Sequence, residues 1–207
     1  MPRLVAFGCS HTYGEGLEDC WNWETRKAGP VASKFAWPQI LANLLKRECV
    51  NLGRRGASNK EILHNIQMFD FEKDDIVCIL WSYITRDCIL YSDDVANDDS
   101  VKQLVGTVNR KWFSKSYAEY DCIHQQWTCM NYANMLLERK GLEHYHFSVH
   151  YANIENPPKW NEVNIEPLDF QHYQNHFPKA FDNMHPGKKA QSKIAKDIKE
   201  IIDAHNK

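Results

Sequence analysis

The residues needed to turn a hydroxyl into a nucleophile stand near opposite ends of this sequence. Ser10 lies in Gly8-Cys9-Ser10-His11-Thr12, directly after the apolar run Arg3–Cys9. A serine hydroxyl is a weak nucleophile until a base takes its proton. Far along the chain is Asp182-Asn183-Met184-His185-Pro186. Three positions is about one helical turn, so the Asp182 carboxylate can hold one nitrogen of His185 and leave the other free as a base. Each segment also has a plain structural reading. Ser10 ends a strand and starts a loop, and Asp182 caps a turn with His185 before a proline.

Two further segments bear on the same chemistry. In Asn51-Leu52-Gly53-Arg54-Arg55-Gly56-Ala57-Ser58, two glycines let the backbone come close to a ligand, and Gly56 can offer its N–H to an oxyanion. The alternative is a tight turn that needs a positive φ. Trp81-Ser82 closes another apolar run, and Arg86 follows. Ser82 can donate its hydroxyl into the same space. Arg86 either forms a structural ion pair or binds a polar or anionic part of a substrate. His11, beside Ser10, is expected to pack against the cleft or line it.

Other candidates read more plainly. His144, His146 and His150 alternate and would share one face of a strand. No acidic or cysteine partner stands at ligand spacing, so a partly exposed sheet face is expected there and no metal site. Cys9 precedes Ser10 on a strand and points to the opposite side, as a buried thiol. The seven cysteines are odd in number and irregular in spacing, without CxxC, which suggests reduced thiols.

These residues need a frame to converge. The apolar runs Arg3–Cys9, Cys49–Leu52, Asp75–Trp81 and His144–Val149 read as strands. Between them, helical patterns span Ser33–Glu48 with Ser33 as N-cap, Asn59–Phe69 capped by Ser58, and Lys115–Lys140 stopped at Gly141. A helix from Gly187 to the end carries Ala190, Ile194, Ile198 and Ile201 on one face. Ser10–Ser33, Ser92–Ser100 and Ala152–Phe181 read as loop. Strands alternating with helices predict a three-layer α/β/α sandwich around a parallel sheet, in a single domain over 1–207. In such folds ligands bind beyond the carboxyl ends of the strands, where every residue above falls.

With 207 residues, 27 acidic against 25 basic, and 43% apolar content, the chain reads as an ordinary globular domain with no charge bias toward nucleic acid. No apolar run reaches the length of a membrane span, and no secretory signal pattern is present. A cytoplasmic location is expected, in the host cytoplasm or associated with a virion if a phage encodes the chain. A nucleotide-binding reading finds neither GxGxxG nor GxxxxGK[ST].

Taken together, the order of segments resembles the SGNH (GDSL-like) hydrolase superfamily, with its flavodoxin-like architecture. Gly8-Cys9-Ser10 resembles the first block, Asn51 with Gly56 the second, and Asp182 with His185 the last. The Gly8-Cys9-Ser10-His11-Thr12 opening with Gly14 and Gly16, and Ala36-Trp37-Pro38, look like a subgroup found in bacteriophages and bacteria. The resemblance spans Leu4 to the final helix. It implies a carboxylic ester hydrolase with the triad Ser10, His185 and Asp182 and an oxyanion hole of the Ser10 and Gly56 N–H groups with the Ser82 hydroxyl. No metal or organic cofactor is implied. The chain departs from the family where Ser82 stands for the usual oxyanion-hole Asn, and Cys9 for the usual Asp. Trp21, Trp23, Trp112, Tyr151 and Trp160 suit an O-acetylated carbohydrate, or simply pack the loops. The other functional class is a glycan- or protein-binding module without turnover. The oligomeric state is not legible.

Overall fold

The structure, a computed structural model, describes residues 1–93, 101–105, 119–150, 157–168 and 170–207. In chain order the elements are β1 (Arg3–Gly8), α1 (Ser10–Tyr13), β2 (Trp21–Asn22), β3 (Lys27–Ala28), α2 (Trp37–Leu45), β4 (Glu48–Gly53), α3 (Asn59–Met68), β5 (Ile76–Trp81), β6 (Arg86–Leu90), β7 (Val101–Val105), α4 (Glu119–Arg139), β8 (Glu143–Ser148), α5 (Phe170–His176) and α6 (Lys188–His205).

The four long apolar runs form the central parallel sheet, in the order β4-β1-β5-β8. Leu4, Val5, Ala6 and Phe7 of β1 and Ile76–Trp81 of β5 are buried, as strands covered on both faces require. The register pairs Gly8 with both Gly53 and Leu80, so the carboxyl ends of β1, β4 and β5 finish level. From β1 the chain crosses to β4 on one side through α2. From β4 it passes back over β1 to β5 through α3. Right-handed crossovers in opposite directions place α2 and α3 on opposite faces of the sheet. α6 packs on α2, and α4 packs on α3, which completes an α/β sandwich.

Several elements differ from the sequence expectation. α2 begins at Trp37, not near Ser33. Its N-cap is Ala36, with Pro38 in the first turn. Ser33 instead donates from Oγ to Asp19 Oδ1 and accepts from the Phe35 N–H. Ser58 does cap α3, accepting from the Glu61 N–H at 3.2 Å. The expected loop Ser10–Ser33 contains α1 and the small β2–β3 hairpin, and the loop Ala152–Phe181 contains α5. β6 and β7 form a separate antiparallel pair. The helix expected from Lys115 is described from Glu119. Most of Ser92–Ser100 lies outside the described residues, as do Trp112 and Tyr151.

Candidate active site

β1 is the switch point of the sheet: the strands next in sequence lie on either side of it, and a crevice opens beyond its carboxyl end. Cys9 remains extended (φ −96°, ψ −155°) and fully buried, and Ser10 opens the single turn of α1. As the first helical residue, Ser10 has an N–H without a partner inside its helix. The Thr12 and Tyr13 N–H groups both bond the Cys9 carbonyl at 3.0 Å.

The second half of the site is a loop folded back on itself. Lys179 pairs with Pro186, the Ala180 N–H donates to the His185 carbonyl (2.9 Å) and the Gly187 N–H to the Pro178 carbonyl (3.0 Å). Asn183 turns the chain with φ 58°. Asp182 Oδ1 accepts the N–H groups of Met184 (2.9 Å) and His185 (3.0 Å), which fixes the carboxylate relative to the ring. Gly16 forms the floor. It has φ +82°, its carbonyl accepts the Phe181 N–H at 2.9 Å, and a Cβ there would lie 2.6 Å from the Asp182 carboxylate. Buried Gln191 moors the loop to the core. Its Nε2 donates to the Pro186 carbonyl (3.3 Å), and its Oε1 accepts the Trp37 N–H (2.8 Å).

These supports bring together the three residues that sequence spacing singles out. His185 Nδ1 lies 2.5 Å from Asp182 Oδ2, and His185 Nε2 lies 2.8 Å from Ser10 Oγ. Burial works to raise the Asp182 pKa. Hydrogen bonds from His185 and from the Met184 backbone outweigh it and hold the carboxyl below its ordinary value. An ionised Asp182 accepts a hydrogen bond from the Nδ1–H, so the Nε2 lone pair faces the Ser10 hydroxyl. A second carboxylate, Glu15 Oε2, stands 3.9 Å from the same Nε2. His11 packs its ring edgewise 5.2 Å from that of His185. Burial, with His185 and Arg86 nearby, lowers its pKa to about 3 and keeps it neutral.

The other candidate residues fall on two flanks. Gly56 takes φ +73°, with Gln103 of β7 against its Cα, so both the turn and the close packing exclude a side chain. Asn51 ties β4 to α1, donating to the Thr12 carbonyl at 2.8 Å and accepting the Gly53 N–H at 3.0 Å. On the β5 side Ser82 is buried, and its backbone is clamped by Asn59. Asn59 Oδ1 accepts the Ser82 N–H at 2.6 Å, and Nδ2 donates to the Ser82 carbonyl at 3.3 Å. Arg86 Nη1 donates to Ser82 Oγ at 3.1 Å, and its guanidinium lies 5.0 Å over the Tyr83 ring. Among the described residues no acidic side chain pairs with Arg86. Because the Ser82 oxygen accepts from Arg86, its own proton is left to be donated elsewhere.

Sequence reading missed Glu15, Asn59, Phe181 and Gln191. Only Asn59 carried a signal, as an amide directly behind the Gly56 turn. Trp23 is 66% exposed and Phe181 45%, with ring centroids 4.8 Å apart, beside the Asp182 loop. Trp21 stands edgewise to Trp23 at 6.4 Å. Trp160 lies against His124. Of the three spaced histidines, His144 and His146 share a face of β8, and His150 lies past its end. His146 Nδ1 accepts the Trp81 Nε1–H at 3.0 Å, which puts its proton on Nε2 and leaves that nitrogen no lone pair for a metal. Among the described residues no three His, Cys, Asp or Glu side chains group as metal ligands, and no helix is long and apolar enough to cross a membrane. Among the described residues no two cysteines form a disulfide.

No protein-family model matches the sequence, and no curated protein sequence matches it. Solved structures do resemble it. A member of the lipolytic G-D-S-L family from Veillonella parvula aligns over 97% of this chain and 98% of its own, at 13% identity and TM-score 0.51. A protein assigned to the same family from Desulfitobacterium hafniense aligns over 97% and 99%, at 12% identity and TM-score 0.50. An acetyl xylan esterase from Butyrivibrio proteoclasticus aligns over 99% of this chain and 64% of its own, at 10% identity and TM-score 0.54. At these identities the likeness is one of fold, and the fold is that of the SGNH/GDSL-like hydrolases.

Proposed function

We propose that this protein is a serine ester hydrolase in which Ser10, His185 and Asp182 form the catalytic triad. The observation that carries the proposal is the continuous path from Asp182 Oδ2 through His185 to Ser10 Oγ, at 2.5 and 2.8 Å, between segments 175 positions apart. A chance contact of two such segments would not also supply a moored loop, an ionised carboxylate and the required tautomer.

In this mechanism Ser10 Oγ bonds to the ester carbonyl carbon as its proton passes to His185 Nε2. Asp182 holds the ring and stabilises the imidazolium. The carbonyl π electrons move onto oxygen, where the N–H groups of Ser10 and Gly56 and the Ser82 hydroxyl receive the charge. Collapse breaks the bond to the alcohol, which leaves with the His185 proton. Water then repeats the sequence on the acyl-serine, with His185 again as base and then acid. Arg86 acts through Ser82: by donating to its oxygen it turns the hydroxyl proton toward the oxyanion. It thus offsets the missing Asn of this fold's usual third block.

The preferred substrate class is an O-acetylated carbohydrate. The support is that Trp23 and Phe181 pair beside the Asp182 loop and both stay largely exposed, an arrangement that burial for area alone does not produce. The substitution of Ser82 for Asn favours a second reading, a glycan-binding module without turnover. Fluorophosphonate labelling followed by peptide mapping separates the two. The ester hydrolase labels at Ser10 and loses both label and acetate release in Ser10→Ala. Label on another peptide, or full activity in that variant, rejects the triad.

A further inference from the structure

Beside the candidate oxyanion glycine lies an open cavity of about 620 Å³, lined by Tyr13, Ala28, Pro30, Arg54, Arg55 and Gln103. Its two arginines differ. Arg54 is committed: its Nε sits 3.4 Å from the fully buried carboxylate of Glu61. Arg55 is exposed, and among the described residues no carboxylate pairs with it. It is nonetheless held in place. One N–H (Nη1) donates to the Ala28 carbonyl at 3.2 Å, and the guanidinium lies 5.8 Å over the Tyr13 ring. Its own carbonyl accepts from Gln103 Nε2 at 2.6 Å, and Tyr13 is anchored by its hydroxyl to the Gly29 carbonyl at 2.5 Å.

A guanidinium offers five N–H donors, and this one spends a single donor on the protein. Fixing a long cationic side chain costs rotamer entropy, which the fold has already met here by the hairpin carbonyl and the aromatic face. Such a fork accepts a planar carboxylate in bidentate fashion. The placement relates it to the reaction: Arg55 immediately precedes Gly56, and Tyr13 lies one turn after Ser10.

We propose that the cavity is a subsite for a carboxylate on the substrate, so that the enzyme acts on acetyl esters of acidic sugars. This rests on the ester hydrolase reading. One uncommitted guanidinium matches one singly charged carboxylate. The acetyl group has no room for a charge, so the carboxylate belongs to the alcohol half of the ester. That half extends from Ser10 across the β4 side, over the cavity.

The test compares acetylated galacturonate with acetylated galactose, which differ in charge at one carbon. The wild-type protein is expected to prefer the acidic ester through a lower KM, with a preference that shrinks at high salt. Arg55→Gln is expected to cut the preference tenfold or more, and Arg55→Lys, which keeps charge without the fork, to fall between. No preference in the wild type, or a preference unchanged in Arg55→Gln, overturns the proposal. If neither ester is hydrolysed, the ester hydrolase reading has failed, and calorimetry still tests the subsite. Salt-sensitive binding of galacturonate but not galactose, lost in Arg55→Gln, supports it. Equal or absent binding ends it. Melting curves of both variants show whether the hairpin has been disturbed.

Discussion

Two imidazoles flank the central strands, and their Nδ1 partners give them opposite characters. At His185 the partner is a carboxylate, Asp182, which accepts a hydrogen bond from Nδ1–H, keeps the proton on that nitrogen and turns a basic lone pair toward Ser10. At His146 the partner is the indole N–H of Trp81, which can only donate. Nδ1 must accept, the proton sits on Nε2, and that nitrogen is buried without a partner among the described residues. Burial, with His144 nearby, lowers the His146 pKa to about 3. The same side chain is thus set as a base in one place and as a neutral core group in the other. What separates them is the direction of one hydrogen bond.

The comparison breaks if the two rings can exchange consequences. Asp182→Asn should leave the ring contact while reversing the tautomer, and should lower kcat about 10⁴-fold in steady-state kinetics. A loss under tenfold would mean that the Asp182 partner does not set the base. Next in size is the oxyanion flank. Ser82→Ala should lower kcat by about 10²-fold with KM little changed, the cost of one donor. Arg86→Ala should move the same quantity in the same direction by less, because the serine hydroxyl remains but is no longer turned. An Arg86→Ala effect confined to KM would instead make Arg86 a substrate contact.

His146→Gln supplies the converse. It should keep turnover within a few-fold and lower unfolding free energy by about 1–3 kcal/mol in urea titrations, since the imidazole that accepts the buried Trp81 N–H and stacks on its ring is lost. Loss of turnover with unchanged stability would place His146 in the wrong class.

Why His185 was legible in the sequence and His146 was not follows from the same contrast. Asp182 and His185 share one turn, and the hydrophobic runs that place Ser10 opposite them carry a clear strand and helix period. The Trp81–His146 bond joins neighbouring strands whose register no local pattern states. The same holds for α1: Ser-His-Thr-Tyr is too short to nucleate alone and stands because it packs on the ends of β1 and β4. In α5 only Phe170 and Tyr173 face inward, too few for a periodic signal. Ser33 looked like a cap because it precedes an apolar stripe, but Asp19, fourteen residues earlier, claims its hydroxyl. Asn59 and Gln191 act through backbone groups of distant segments, which composition does not reveal.

The contrast also reaches the pH dependence of stability. His11 and His146 each titrate near 6.5 when unfolded and near 3 when folded. Above pH 6.5 both states leave them neutral. Between 6.5 and 3 the unfolded chain binds their protons and the folded one does not, so stability falls as pH falls, by about 1.4 kcal/mol per pH unit for each group fully in that window. Asp182, held below its ordinary 3.8, adds a loss only lower, as pH falls through its folded value. Urea midpoints from pH 6.5 to 4.5 should therefore decline in the wild type, and His146→Gln should flatten the decline by one proton's worth even though it starts from lower stability. An unchanged slope in that variant would mean that His146 already carries its proton in the folded protein. The Trp81 bond would then not set its state, and the contrast with His185 would lose its physical basis.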